Sequence, residues 1–219
     1  MEKSQLEKAK ETFNLQAIAE SINKSIRLRE EFVAYFSPRK LAFLTIEEYV
    51  IGRQNKESFC YILERTLYTL GSISGPPSSK FGVWYSPSKK QYCFEKRFGD
   101  NYLVAFETVK RALLQLLKDG QDKDYDAIRN NPINSLVKGK ILAMYFPDMY
   151  MNVYSVNHLN HYLTFFGLDN KALMLSDAIY KREALMKFKN DDDVMKEWSN
   201  YVFSVFLWSH YPTDQRIGG

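Results

Sequence analysis

Lys80-Phe81-Gly82-Val83-Trp84-Tyr85-Ser86-Pro87-Ser88-Lys89-Lys90-Gln91-Tyr92-Cys93-Phe94-Glu95-Lys96 is the stretch that sets the fold class. Two runs rich in aromatic and β-branched residues flank a Ser-Pro-Ser-Lys-Lys turn, the pattern of a β-hairpin. The preceding Ser72-Ile73-Ser74-Gly75-Pro76-Pro77-Ser78-Ser79 is a loop by its Gly, Pro and Ser content. Two further strands are expected: the apolar run Lys140 to Phe146, closed by Pro147, and Tyr150 to Tyr154.

Outward from this centre the periodicity is helical. Lys3 to Phe36 carries apolar residues mostly at helical spacing, and Pro38 ends it. Thr45-Ile46-Glu47-Glu48 has the form of a capping box. Ser58 to Leu70 reads as a helix stopped by Gly71, and Asn101 to Lys118 as an amphipathic helix with Gly120 past its end. Ser155 is placed as the cap of a helix from Val156 to Phe166, stopped by Gly167. Ala172 to Lys187 and Asp193 to His210 follow, the latter entered through Asp191-Asp192-Asp193, where acids suit the helix dipole. The expected fold is α+β: a helix-rich single domain over 1–219 with a small central sheet. Its parts are an N-terminal helical segment 1–37, a core with the hairpin 38–167, and a C-terminal helical segment 168–219.

Composition agrees. With 45% hydrophobic residues in 219, the chain has enough apolar surface to bury a full core. Cys60 and Cys93 sit inside apolar runs, where a free thiol behaves as a small hydrophobe. Their spacing gives neither a zinc site nor a disulfide framework. The polar start lacks the apolar run of a signal peptide, and no run of apolar residues is long enough to span a membrane. The expected location is the cytoplasm, with no membrane partner.

The formal net charge of +4 decides little as a whole-chain number; its distribution decides more. From Arg65 through Phe94 there is no Asp or Glu, although acids are frequent elsewhere. Lys80, Lys89 and Lys90 lie in this window, and Lys96 and Arg97 follow it. Phe81, Trp84, Tyr85, Tyr92 and Phe94 are interleaved. Cations attract phosphates and exposed aromatics stack on bases, so the stretch reads as a nucleic-acid surface. It reads equally as a hairpin with an apolar inner face and a solvated basic turn. Alternate residues of a strand point to opposite faces, so some of these aromatics must be core.

Other chemistries fit poorly. The Ser72–Ser79 loop lacks the Gly-Lys-Ser/Thr of a phosphate-binding P-loop, though Ser78, Ser79 and Lys80 are within reach of a backbone phosphate. His158 and His161 have a permissible metal-ligand spacing on one helix, but no third ligand is evident. Glu95-Lys96-Arg97 lacks the upstream acid and the Glu-x-Lys of a restriction-type nuclease site. No nucleophile elbow, HExxH or dinucleotide fingerprint occurs. No enzyme activity and no cofactor are expected of this chain.

Several short pieces occur in a familiar order: Leu44-Thr45-Ile46-Glu47-Glu48-Tyr49, Ser58-Phe59-Cys60-Tyr61-Ile62-Leu63-Glu64, Leu70-Gly71-Ser72-Ile73-Ser74-Gly75 and Lys80-Phe81-Gly82-Val83-Trp84. Gly139 to Pro147 and Tyr154-Ser155-Val156-Asn157-His158-Leu159 come behind them. Over roughly Leu41 to Gly167 the chain resembles an N-terminal DNA-recognition module found ahead of the ATPase in McrB-like, modification-dependent restriction AAA+ proteins. The resemblance implies DNA as partner, with a methylated or otherwise modified base. It also implies that the AAA+ ATPase and the nuclease reside in other domains or subunits. Flipping a base out of the stack would give Trp84, Tyr85 or Tyr92 a reason to be exposed. Pro76-Pro77 stands where related modules carry small residues, which puts the role of that loop in doubt.

The residues expected to touch nucleic acid are therefore Ser79, Lys80, Lys89, Lys90, Lys96 and Arg97 at phosphates, and Trp84, Tyr85 and Tyr92 at bases. The rival expectation is a protein-interaction or oligomerisation module, using the long N-terminal helix or the apolar residues Val202, Phe203, Val205, Phe206, Leu207 and Trp208.

Overall fold

The computed structural model describes residues 3–213. The chain is helix-rich α+β with a two-stranded antiparallel sheet. The last positions of the C-terminal segment, 214–219, lie outside the described residues.

The N-terminal segment forms two helices, α1 (Lys3–Thr12) and α2 (Leu15–Tyr35), because Asn14 interrupts it and caps α2 through the Ala17 N–H. Short α3 (Pro38–Ala42) and α4 (Ile46–Tyr49) follow, and α4 has the expected capping box between Thr45 and Glu48. The expected single helix over Ser58 to Leu70 is three pieces. One α turn, α5 (Phe59–Tyr61), widens into a π turn at Ile62–Thr66 and tightens into a 3-10 turn at Tyr68–Leu70 before Gly71.

Strands β1 (Val83–Ser86) and β2 (Gln91–Phe94) pair in the register Val83 with Phe94, Trp84 with Cys93, Tyr85 with Tyr92 and Ser86 with Gln91. Helix α6 (Tyr102–Asp122) is capped by Asn101, runs through Gly120 and ends at left-handed Lys123. Helix α7 (Tyr125–Asn130) leads to α8 (Ser135–Tyr145), where a strand was expected. From Val137 to Met144 every residue of α8 is buried, so the helix shows no polar face and no 3.6-residue period.

Helix α9 (Val156–Phe165) begins after Ser155, whose side chain makes no cap bond. Short α10 (Lys171–Met174) precedes α11 (Ala178–Asn190). The final helix α12 (Asn200–His210) is capped by Ser199, not entered through the three aspartates. Asp192 instead accepts from the Val194 and Met195 N–H groups, shaping a separate 3-10 turn at Met195–Glu197.

Burial divides into two adjoining apolar clusters. One gathers α2 to α8 with the hairpin, around Phe36, Phe59, Leu63, Val109 and Leu142. The other gathers α1, α9, α11 and α12, around Leu159, Leu185, Phe203 and Phe206. Tyr150 to Tyr154, expected as a strand, joins them without pairing in a sheet. Tyr150 and Tyr154 enter the first cluster, Met151 and Val153 the second. This is the two-residue alternation of extended backbone. Side chains satisfy part of that backbone: Ser204 Oγ accepts the Asn152 N–H at 3.0 Å, and Arg182 Nε donates to the Val153 carbonyl at 2.9 Å. Phe203, Phe206 and Leu207 face the core, so the apolar side of α12 is covered by its own chain.

Candidate nucleic-acid interface

The capping box positions more than its own helix. After α4, Ile51 runs beside β1, and its carbonyl accepts the Tyr85 N–H at 3.0 Å. Gly52 follows with φ +105°, and a Cβ there would stand 2.1 Å from the Tyr85 carbonyl oxygen. Only glycine fits so close an approach at that dihedral. The turn swings Arg53 over the hairpin, its guanidinium carbon 5.3 Å from the centre of the Tyr85 ring and 5.6 Å from that of Tyr92. Cations are drawn to the electron-rich ring faces.

Tyr85 and Tyr92 are opposite each other in the register and meet edge to face, centroids 5.5 Å apart. Tyr102, from the start of α6, stacks on Tyr92 at 4.9 Å and 18°. Arg53 donates to the Tyr92 hydroxyl oxygen, and that hydroxyl donates to Glu47 Oε1 at 2.7 Å. Burial, followed by the neighbouring Glu47 carboxylate, pushes the Tyr92 phenol above its ordinary pKa. Tyr92 is therefore an engaged member of a cluster rather than a free stacking platform. Arg53, Glu47 and Tyr102 were not singled out from sequence. The signal for Arg53 was Gly52 behind a capping box, a local device with no chemistry of its own.

The hairpin ends carry exposed cations. Lys89 and Lys90 form its turn, Lys90 in the left-handed region at φ 52°. Lys96 and Arg97 begin the 3-10 turn Lys96–Phe98 after β2. All four are exposed, and among the described residues none lies within ion-pair distance of a carboxylate. The six steps of chain from Lys90 to Lys96 span at most roughly 20 Å, about six base-pair steps of a duplex.

Three expected contact residues are elsewhere. Lys80 is not on the surface: its side chain is 2% exposed, its ammonium 2.7 Å from the equally buried Glu64 carboxylate and 2.8 Å from the Pro76 carbonyl. A buried carboxylate beside a buried ammonium offsets part of the hydration that both lose. Trp84 points to the face opposite Tyr85 and Tyr92, half-buried against the first cluster. Ser79 is half-buried within the 3-10 turn Ser78–Phe81 that holds Lys80 inward.

Histidine and thiol chemistry recede. Burial, and then His161, hold His158 below the usual imidazole range, and no group of three metal-ligating side chains occurs among the described residues. Cys60 is sealed in the core and burial pushes its thiol up, away from reactivity. No helix is long and apolar enough to cross a membrane among the described residues. No family model, curated protein or solved structure matches this chain.

Proposed function

We propose that this chain is the DNA-binding specificity module of a restriction or defence system. Lys89, Lys90, Lys96 and Arg97 contact phosphates, and the Arg53–Tyr85 edge of the aromatic cluster faces the bases, with a modified base as the preferred target. The observation that carries this reading is the set of four exposed cations, without carboxylate partners among the described residues, at the two ends of one aromatic hairpin. Lys80 has no part in the contact, and Trp84 supports the hairpin from behind. The module binds, while an AAA+ ATPase and a nuclease in other domains or subunits do the work on DNA.

The test is a double charge reversal, Lys89→Glu with Lys90→Glu, titrated against labelled duplexes of several sequences. Phosphate contacts carry no sequence information, so binding falls alike for all of them. Unchanged binding by a folded double variant removes the hairpin from the interface.

A further inference from the structure

Leu28, Phe32 and Tyr35 stand at i, i+4 and i+7 on α2, along one side of the helix. Opposite them Ile62 opens the π turn Ile62–Thr66. Between the two elements lies a groove of about 380 Å³. Phe32 forms its buried floor, Leu28 and Ile62 its half-buried walls, and Tyr35 a lip with 56% of its surface exposed. A π turn is rare and gathers at functional sites, and here the widened turn is a wall of the groove.

The charged side chains lining this groove are two, Glu31 and Glu57, and both are exposed. Neighbouring acids are matched: Glu30 pairs with Arg29, and Glu64 with Lys80. Among the described residues Glu31 and Glu57 have no such partner. An apolar floor under an acidic lip without ion-pair partners among the described residues favours a partner that carries basic residues beside its apolar ones. The volume is near the small end of ligand pockets, enough for anchoring side chains.

We propose that this groove docks a short amphipathic helix of another protein. One or two large apolar side chains of that helix sit over Phe32, and its flanking lysines or arginines face Glu31 and Glu57, as in helix-in-groove recognition. This surface does not depend on the nucleic-acid reading, and its acids oppose that role.

The test uses fluorescein-labelled synthetic helical peptides with leucines on two successive turns, flanked either by lysines or by glutamates. Binding is read by anisotropy and by amide shifts at Leu28, Glu31, Tyr35 and Glu57 of the full chain. The lysine peptide is expected to bind and shift these amides, with the glutamate peptide at least about tenfold weaker. Glu31→Lys with Glu57→Lys is expected to reverse that order. Both positions are exposed, so the fold is expected to stay unchanged. Equal binding of the two peptides, shifts elsewhere, or no binding of either overturns the proposal. A dimer that the double variant abolishes overturns it too, by making a second copy the occupant.

Discussion

The ammonium of Lys80 lies 2.7 Å from the carboxylate of Glu64, both side chains almost sealed from water. The pair fixes the 3-10 turn before β1 to the π turn of the preceding helix, and so sets where the hairpin leaves the core. Removing one member of a buried pair strands the other charge, at a cost of about 3–5 kcal/mol. Lys80→Met or Glu64→Leu alone is expected to lower the unfolding free energy read from urea titration by that amount, and the double substitution by much less. Additive losses would mean that the two groups are stabilised separately.

Lys140 is a buried cation of another kind, with no carboxylate at its ammonium among the described residues. It donates to the Leu67 and Gly71 carbonyls at 2.7 and 2.5 Å, closing the irregular end of the helix that begins at Phe59. Burial lowers its pKa to about 7. In the unfolded chain a lysine titrates near 10.4, so between these values the unfolded state holds the extra proton and stability rises with pH. Below pH 7 both states are charged and the full cost of burying the charge is present. Compared with Lys140→Met, the native chain is expected to gain up to about 1.4 kcal/mol per pH unit from pH 7 toward 9.5 in urea unfolding. Parallel pH profiles for the two proteins would place the lysine's pKa outside that window.

Gly52 makes the Arg53 arrangement possible. Gly52→Ala adds a Cβ 2.1 Å from the Tyr85 carbonyl oxygen at a dihedral that side chains avoid. A loss of at least about 2 kcal/mol in thermal unfolding is expected. Loss of the Arg53 contact should accompany it, read as a change in the Tyr85 and Tyr92 ring signals by NMR.

Glu47 and Arg53 have opposite expected effects on DNA. Glu47 places a negative charge beside the aromatic cluster, so Glu47→Gln is expected to raise duplex affinity several-fold at low salt. Arg53→Ala is expected to lower it, and the effect of both substitutions should shrink as salt screens them. The same sign for both variants would show that the cluster acts only by holding the hairpin's shape.

Legibility in the sequence followed the reach of each signal. The hairpin, the α4 capping box and α6 were plain because turn chemistry, capping and amphipathic period are local. α8 was misread as a strand because burial on all sides erased its period, leaving an apolar run that length alone had to decide. Tyr150 to Tyr154 has the alternation of a strand, but it contacts a core on each side, and the Asn152 N–H and Val153 carbonyl bond to Ser204 and Arg182 instead of a neighbouring strand.

The candidate site was half visible. Lys89, Lys90, Lys96 and Arg97 are exposed as the basic, acid-free stretch suggested, and Tyr85 and Tyr92 share a face. Lys80 went inward because its counter-ion, Glu64, comes just before that window, 16 positions upstream. Arg53, Glu47 and Tyr102 reach the cluster from other elements, and apart from Gly52 behind the capping box, which marks a turn but no chemistry, a local reading holds no sign of that convergence.

The most direct measurement is fluorescence anisotropy of labelled duplex DNA, plain and cytosine- or adenine-methylated, titrated with this chain at two salt concentrations. Binding that weakens steeply with salt and prefers one modified duplex is the expected result. Charge reversal at Lys89 and Lys90 should reduce the salt slope by about two, near one for each lost phosphate contact. Flat curves for every duplex at low salt would contradict DNA recognition by this chain.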